Sequence, residues 1–134
     1  MRPIFIFLMF VSVSTIFSQS NADKILGYYY FKEPDSKDYI QVQIYKNAEN
    51  LYDGKIVWTE KHNQYLGYVF LKDFRYNADK EEWDQGFMYN PATDKKYRGY
   101  MKFETYNRLK VRGYIGVSLI GQSIYWTKEK EKRK

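Results

Sequence analysis

Catalysis needs a nucleophile, a metal or a paired acid and base, and this chain offers few candidates for any of them. It has no cysteine, which removes thiol chemistry, and a single histidine, His62. His62 sits between Lys61 and Asn63 in a polar stretch. It lacks histidine companions for a zinc site, so the expectation is an exposed loop residue. Three carboxylates, Asp53, Asp84 and Glu104, lie in or beside strand-like segments, and two facing carboxyls could hydrolyse a glycoside. Alternation places Asp84 opposite Trp83 and Phe87, and Glu104 opposite Phe103. They therefore read as outer-face charges on half-buried strands. No phosphate-binding glycine loop or dinucleotide fingerprint occurs. The expectation is a protein that is not an enzyme and holds no metal or cofactor.

Rings are the richer resource: 15 Tyr, 9 Phe and 3 Trp. Alternation assigns Tyr29, Trp58, Trp83, Phe87, Tyr89, Tyr97, Met101, Phe103 and Trp126 to inward faces, as candidates for lining a ligand pocket. The same side chains would serve equally to fill a closed interior. Arg98 and Arg112 fall on the outer face, which confines any ligand role for them to a rim. Tyr30, Tyr100, Tyr114 and Tyr125 also point outward, and contiguous exposed rings mark contact surfaces.

The elements that must position these residues are short strands. Ile25 to Phe31 is an apolar run that ends at Glu33-Pro34-Asp35-Ser36. Tyr39 to Lys46 alternates, with Ile40, Val42 and Ile44 on one face. Leu51 to Glu60 returns, with Gly54, Ile56 and Trp58 sharing a face. Leu66 to Tyr76 is less regular and admits a kinked strand or a helical turn. Trp83 to Asn90 alternates as Trp83, Gln85, Phe87 and Tyr89 against Asp84, Gly86, Met88 and Asn90. Asn90-Pro91-Ala92-Thr93-Asp94 is a turn, since proline cannot continue a ladder. Tyr97 to Glu104, Leu109 to Ile115 and Gln122 to Lys128 complete the set, the last two joined by a loose link over Gly116 to Gly121. Hairpin-short connections and glycines inside strands predict an all-β fold, a single antiparallel up-and-down β-barrel of about eight strands.

Arg2 followed by the apolar run Ile4 to Phe17, with small residues at Ser18 and Ser20, reads as a leader cleaved between Ser18 and Asn21. The run is several residues short of the roughly 20 that a spanning helix needs. The expected organisation is a signal peptide over 1–20, one barrel domain over 21–128 and a charged tail over 129–134. The formal net charge is +6. Arg2 leaves with the leader and Lys128 to Lys134 carries an excess of three cations, so +2 remains on the body. Charge gathered in a tail reads as a solvated end. Export and this modest charge argue against a nucleic-acid partner, despite rings alternating with Lys and Arg from Tyr97 to Arg112.

Val42-Gln43-Ile44-Tyr45-Lys46 and Asp53-Gly54-Lys55-Ile56-Val57-Trp58 form one set of motifs, followed by Trp83 with Gly86. Tyr89 to Tyr97 (YNPATDKKY), Leu109 to Gly116 (LKVRGYIG), and Gly121 with Trp126 complete it. Together, from about Ile25 to Lys128, they resemble a family of exported bacterial proteins known as domain of unknown function 2147. The resemblance implies a small lipocalin-like barrel in the periplasm or outside the cell. The chain departs from many relatives in opening with Gly27-Tyr28-Tyr29 rather than Gly-x-Trp, and in lacking a cysteine pair around the second hairpin. Two functional readings stand. One is a non-enzymatic exported barrel that binds a small apolar or amphipathic molecule in its interior. The alternative is a cell-envelope interaction module that contacts protein or glycan through its outer aromatic surface.

Overall fold

The computed structural model describes residues 21–114 and 122–134. The expected leader and the Gly116–Gly121 link lie outside the described residues. Among the described residues a 3-10 turn over Asp23–Ile25 precedes nine strands. These are β1 (Gly27–Lys32), β2 (Tyr39–Lys46), β3 (Tyr52–Thr59), β4 (Val69–Asn77) and β5 (Glu82–Asp84). They continue with β6 (Phe87–Tyr89), β7 (Lys96–Thr105), β8 (Arg108–Tyr114) and β9 (Gln122–Glu129). A second 3-10 turn, Asn63–Tyr65, supplies the irregularity ahead of β4.

Every pairing is antiparallel and, outside β5 and β6, joins chain neighbours, while β9 pairs with β1 to close the cylinder. Both β5 and β6 lie between β4 and β7, so they act as one interrupted strand. The result is an eight-strand up-and-down barrel. Closure leaves no long edge for another strand to join. Its interior holds Tyr29, Phe31, Val42, Ile44, Ile56, Leu71, Phe74, Met101, Leu109, Val111 and Trp126, each at most 9% exposed.

Three of the register shifts decide where the expected rings face, and a further one in β4, between Leu71 and Val69, leaves Phe70 against Trp126. Gln41 pairs with Trp58 whereas Val42 pairs with Ile56, so β3 carries one extra residue there. Trp58 consequently faces outward, although Gly54 and Ile56 face in. Tyr52 pairs with Phe74 and Gly54 with Leu71, which inserts an extra residue in β4, where Asp73 takes φ 60°. Trp83 pairs with Met101 and Phe87 with Arg98, so the β5–β6 side is one residue longer than β7, with Gln85 at φ 64°. Each extra residue inverts the inside–outside phase of the positions beyond it. Phe87 and Tyr89 therefore lie on the outer wall, and Met88 turns inward against the core. Gly86 sits where these bulges meet: a methyl group there would lie 2.6 Å from the Lys72 carbonyl and would strike the Phe74 ring.

The tail is not a free end. Gln41 faces outward yet is fully buried, because the returning chain covers it. Its amide donates to the Glu131 carbonyl at 2.8 Å and accepts from the Arg133 N–H at 2.8 Å. The Trp58 indole donates to the Lys134 carbonyl at 3.1 Å. The Arg133 guanidinium pairs with both Glu129 oxygens and lies 3.7 Å over the Tyr30 ring. The expected solvated tail is thus corrected: a buried amide needs hydrogen-bond partners, and the tail backbone supplies them. Among the described residues no helix is long and apolar enough to cross a membrane.

Candidate functional site

The N-terminal turn ties strands from around one end of the barrel. The Tyr29 hydroxyl donates to the Ile25 carbonyl at 2.8 Å, and the Trp83 indole donates to the Ala22 carbonyl at 3.0 Å. Asp23 accepts from the Tyr52 hydroxyl at 2.6 Å and pairs with Lys46 at 2.8 Å. Those two bonds, Lys46 foremost, hold the Asp23 carboxyl below its ordinary range. Ile25 is fully buried beneath.

Beside this turn a cleft of about 460 Å³ opens into the barrel end. That volume lies in the usual range for small-molecule sites. Tyr76, Trp83 and Phe103 form its apolar side. Tyr76 and Trp83 are cross-strand partners with ring centroids 4.9 Å apart, and Phe103 meets Trp83 edge-on at 5.7 Å. Lys24, Lys102 and Lys128 are its cations, and Glu81 and Glu104 its acids.

Lys128 enters from β9, where Ile124, Trp126 and Lys128 share the inner phase. Its ammonium donates to the Lys24 carbonyl at 2.8 Å. It lies 5.8 Å from the Tyr29 ring centre and 5.7 Å from that of Phe103. Burial lowers its pKa from the ordinary lysine value. Lys102 donates to the Lys80 carbonyl at 2.7 Å.

Six of the nine expected ring and sulfur positions face the interior, as alternation indicated: Tyr29, Trp83, Tyr97, Met101, Phe103 and Trp126. Only Trp83 and Phe103 of these line the cleft. Tyr29, Met101 and Trp126 pack the middle, and half-buried Tyr97 pairs with Met88 towards the opposite mouth. Trp58, Phe87 and Tyr89 are on the outer wall because of the register shifts. Phe87 lies beneath the Arg98 guanidinium at 4.1 Å and Tyr89 beneath Lys72 at 5.3 Å. Sequence reasoning missed Tyr76, Lys24, Lys102 and Lys128. For Lys128 the signal was present, two residues beyond inward Trp126, but the charged tail masked it.

Three of the four outer tyrosines, Tyr30, Tyr100 and Tyr125, have a cation beside the ring. Tyr30 stacks on Tyr39 beneath Arg133, Tyr125 lies 4.3 Å beneath Arg108, and Tyr100 has the Lys110 ammonium at 5.9 Å. Tyr114 is described only by its place in β8.

The residues considered for chemistry hold structure together. Asp53 accepts from the Asp73 N–H and the Asn47 amide, both at 2.9 Å, which secures the β4 bulge. Glu104 pairs with Arg108 at 3.4 Å. His62 is not a free loop residue: its Nδ1 is 2.8 Å from fully buried Asp38, which also accepts from the Lys61 N–H. Asp84 accepts from the Asn77 amide, and its other oxygen is buried without a partner. Among the described residues no group of three His, Cys, Asp or Glu is placed to hold a metal.

The fold is shared with a solved structure titled as protein HP1028 from the human pathogen Helicobacter pylori, belonging to the lipocalin family. The match has a TM-score of 0.62 at 14% identity and covers 80% of this chain and 84% of that one. Among curated proteins none matches this chain. A family model described as an uncharacterized protein conserved in bacteria (DUF2147) matches residues 29–128. That span runs from inside β1 almost to the end of β9, the whole closed cylinder, and the chain belongs to this family.

Proposed function

We propose that this protein is an exported, non-enzymatic barrel that holds one small apolar or amphipathic molecule in the cleft at its N-terminal end. The observation that carries the reading is the cleft itself: an apolar side of Tyr76, Trp83 and Phe103 faces polar groups at the end of a closed cylinder. The ring wall offers an amphipathic molecule contact area, and the charged and polar residues that make up most of the lining offer its head group partners. The lipocalin-like fold supports the same reading at the level of architecture. A non-enzymatic role is supported by where Asp53, His62 and Glu104 are held, each engaged in a bond that fixes a turn or strand. The apolar leader from Ile4 to Phe17 supports export.

Native mass spectrometry of protein purified gently from its own host tests the reading. The expected spectrum shows one small-molecule adduct that is lost on Phe103→Ala and kept on Tyr97→Ala. Unliganded protein throughout would sink the reading. So would an adduct that Tyr97→Ala removes and Phe103→Ala spares, which would place the ligand at the opposite mouth.

A further inference from the structure

We infer that the cleft at the N-terminal end selects a free single-chain amphiphile with an anionic head, seated on the Lys128, Lys24 and Lys102 ammonium groups with its chain along Trp83 and Phe103. The inference rests on the cleft being a ligand site, and it names the class of ligand.

The argument begins with charge balance. Three lysines line the cleft against two acids, Glu81 and Glu104. Arg108 already pairs with Glu104 at 3.4 Å. Among the described residues no carboxylate forms an ion pair with Lys24, Lys102 or Lys128, although Glu82 lies near enough to Lys102 to feel its charge. Lys102 and Lys128 instead donate to backbone carbonyls, one bond each. An ammonium has three donors, so each keeps two that the protein does not use.

Position sharpens the argument. Lys128 lies on the inner phase of β9 between the Tyr29 and Phe103 rings. A partly desolvated cation there is stabilised weakly by ring faces and strongly by an anion. Its lowered pKa reflects the same desolvation. Trp83 and Phe103 adjoin it, so an anionic head and an apolar chain are recognised side by side. Cationic amphiphiles would meet like charge, and neutral ones would leave the ammonium unpaired.

The test compares octanoate, octanol and octyltrimethylammonium, by calorimetry and by amide shifts of the labelled mature protein. Octanoate is expected to bind about tenfold more tightly than octanol, the effect of one charge-assisted hydrogen bond. The shifts should centre on Lys128, Phe103 and Trp83. Lys128→Met should abolish the preference, so that octanoate binds no more tightly than octanol does to the same variant. Lys102→Met, further along the lining, should reduce the preference partly and serves if the first variant fails to fold by circular dichroism. Equal binding of octanoate and octanol would overturn the inference and leave the ligand site standing. Binding of none of the three would overturn both. Co-sedimentation with anionic vesicles but no binding of octanoate would also overturn it, since the source would then be a membrane surface.

Discussion

Trp83 and Trp126 are each 2% exposed and face the same interior, yet only one has a partner for its indole N–H. Trp83 donates to the Ala22 carbonyl, whereas the Trp126 nitrogen is buried with no hydrogen bond and its ring stacks on Phe31 at 4.6 Å. A buried donor without an acceptor costs about 1–3 kcal/mol, and removing it recovers part of that. Replacing either indole by phenyl sacrifices similar contact area, so the hydrogen bond should separate the two variants. Trp83→Phe is expected to lower unfolding free energy by about 1–2 kcal/mol more than Trp126→Phe, read from urea denaturation. Equal losses would mean that the Ala22 bond contributes nothing. The same contrast bears on the cleft, because the Ala22 bond anchors the turn from which Lys24 reaches in.

At the scale of elements, the bulges and the tail carry the structure that alternation could not reveal. The tail prediction is direct: removing Lys130–Lys134 uncovers Gln41, Trp58 and Tyr30 together. Two hydrogen bonds to a buried amide and a stacked guanidinium disappear. A loss of about 2–3 kcal/mol in unfolding free energy is expected, with Trp58 emission shifting to the red. An unchanged stability would show the docked tail to be energetically idle. Gly86→Ala tests the paired bulges in the same way. Its methyl group would collide with Phe74 and the Lys72 carbonyl, and overpacking of this kind costs about 1–3 kcal/mol. Strand number, turn positions and the inward run of β7 and β8 were legible because period two is a local signal. The phase of Trp58, Phe87 and Tyr89 was not legible, because an extra residue at Val57, Asp73 or Gln85 has no composition mark. Gln85 adopts positive φ without being glycine, asparagine or aspartate, so turn chemistry is silent there, and Asp73 is a lone turn-forming residue inside a strand-like run. The tail was misread because its charges suggested water while its backbone, which carries no sequence signal, makes the contacts.

At the scale of the whole molecule, closure matters twice: β9 meets β1 around the circumference, and Ala22–Ile25 covers part of one end. The cover is held by Asp23, whose contacts to Lys46 and Tyr52 lower its pKa from 3.8. A carboxyl with a lower pKa in the folded state stabilises that state above its unfolded value. The contribution fades as pH falls through the folded value. Asp23→Asn should therefore cost less than about 1 kcal/mol at neutral pH, since the site is partly exposed and screened. Its stability should also fall less steeply than the parent's from pH 4 downward. Parallel acid limbs would show that the N-terminal turn is not what proton uptake releases. The same turn constrains where a leader could be cut. If the leader is removed, the cut has to precede Ala22, because Trp83 takes its acceptor from that residue and Tyr52 from the next. With a leader cut between Ser18 and Asn21, mass spectrometry of the processed chain should find Gln19, Ser20 or Asn21 as its first residue. A later start would leave the Trp83 indole without its partner and the Lys24 side of the cleft without its anchor.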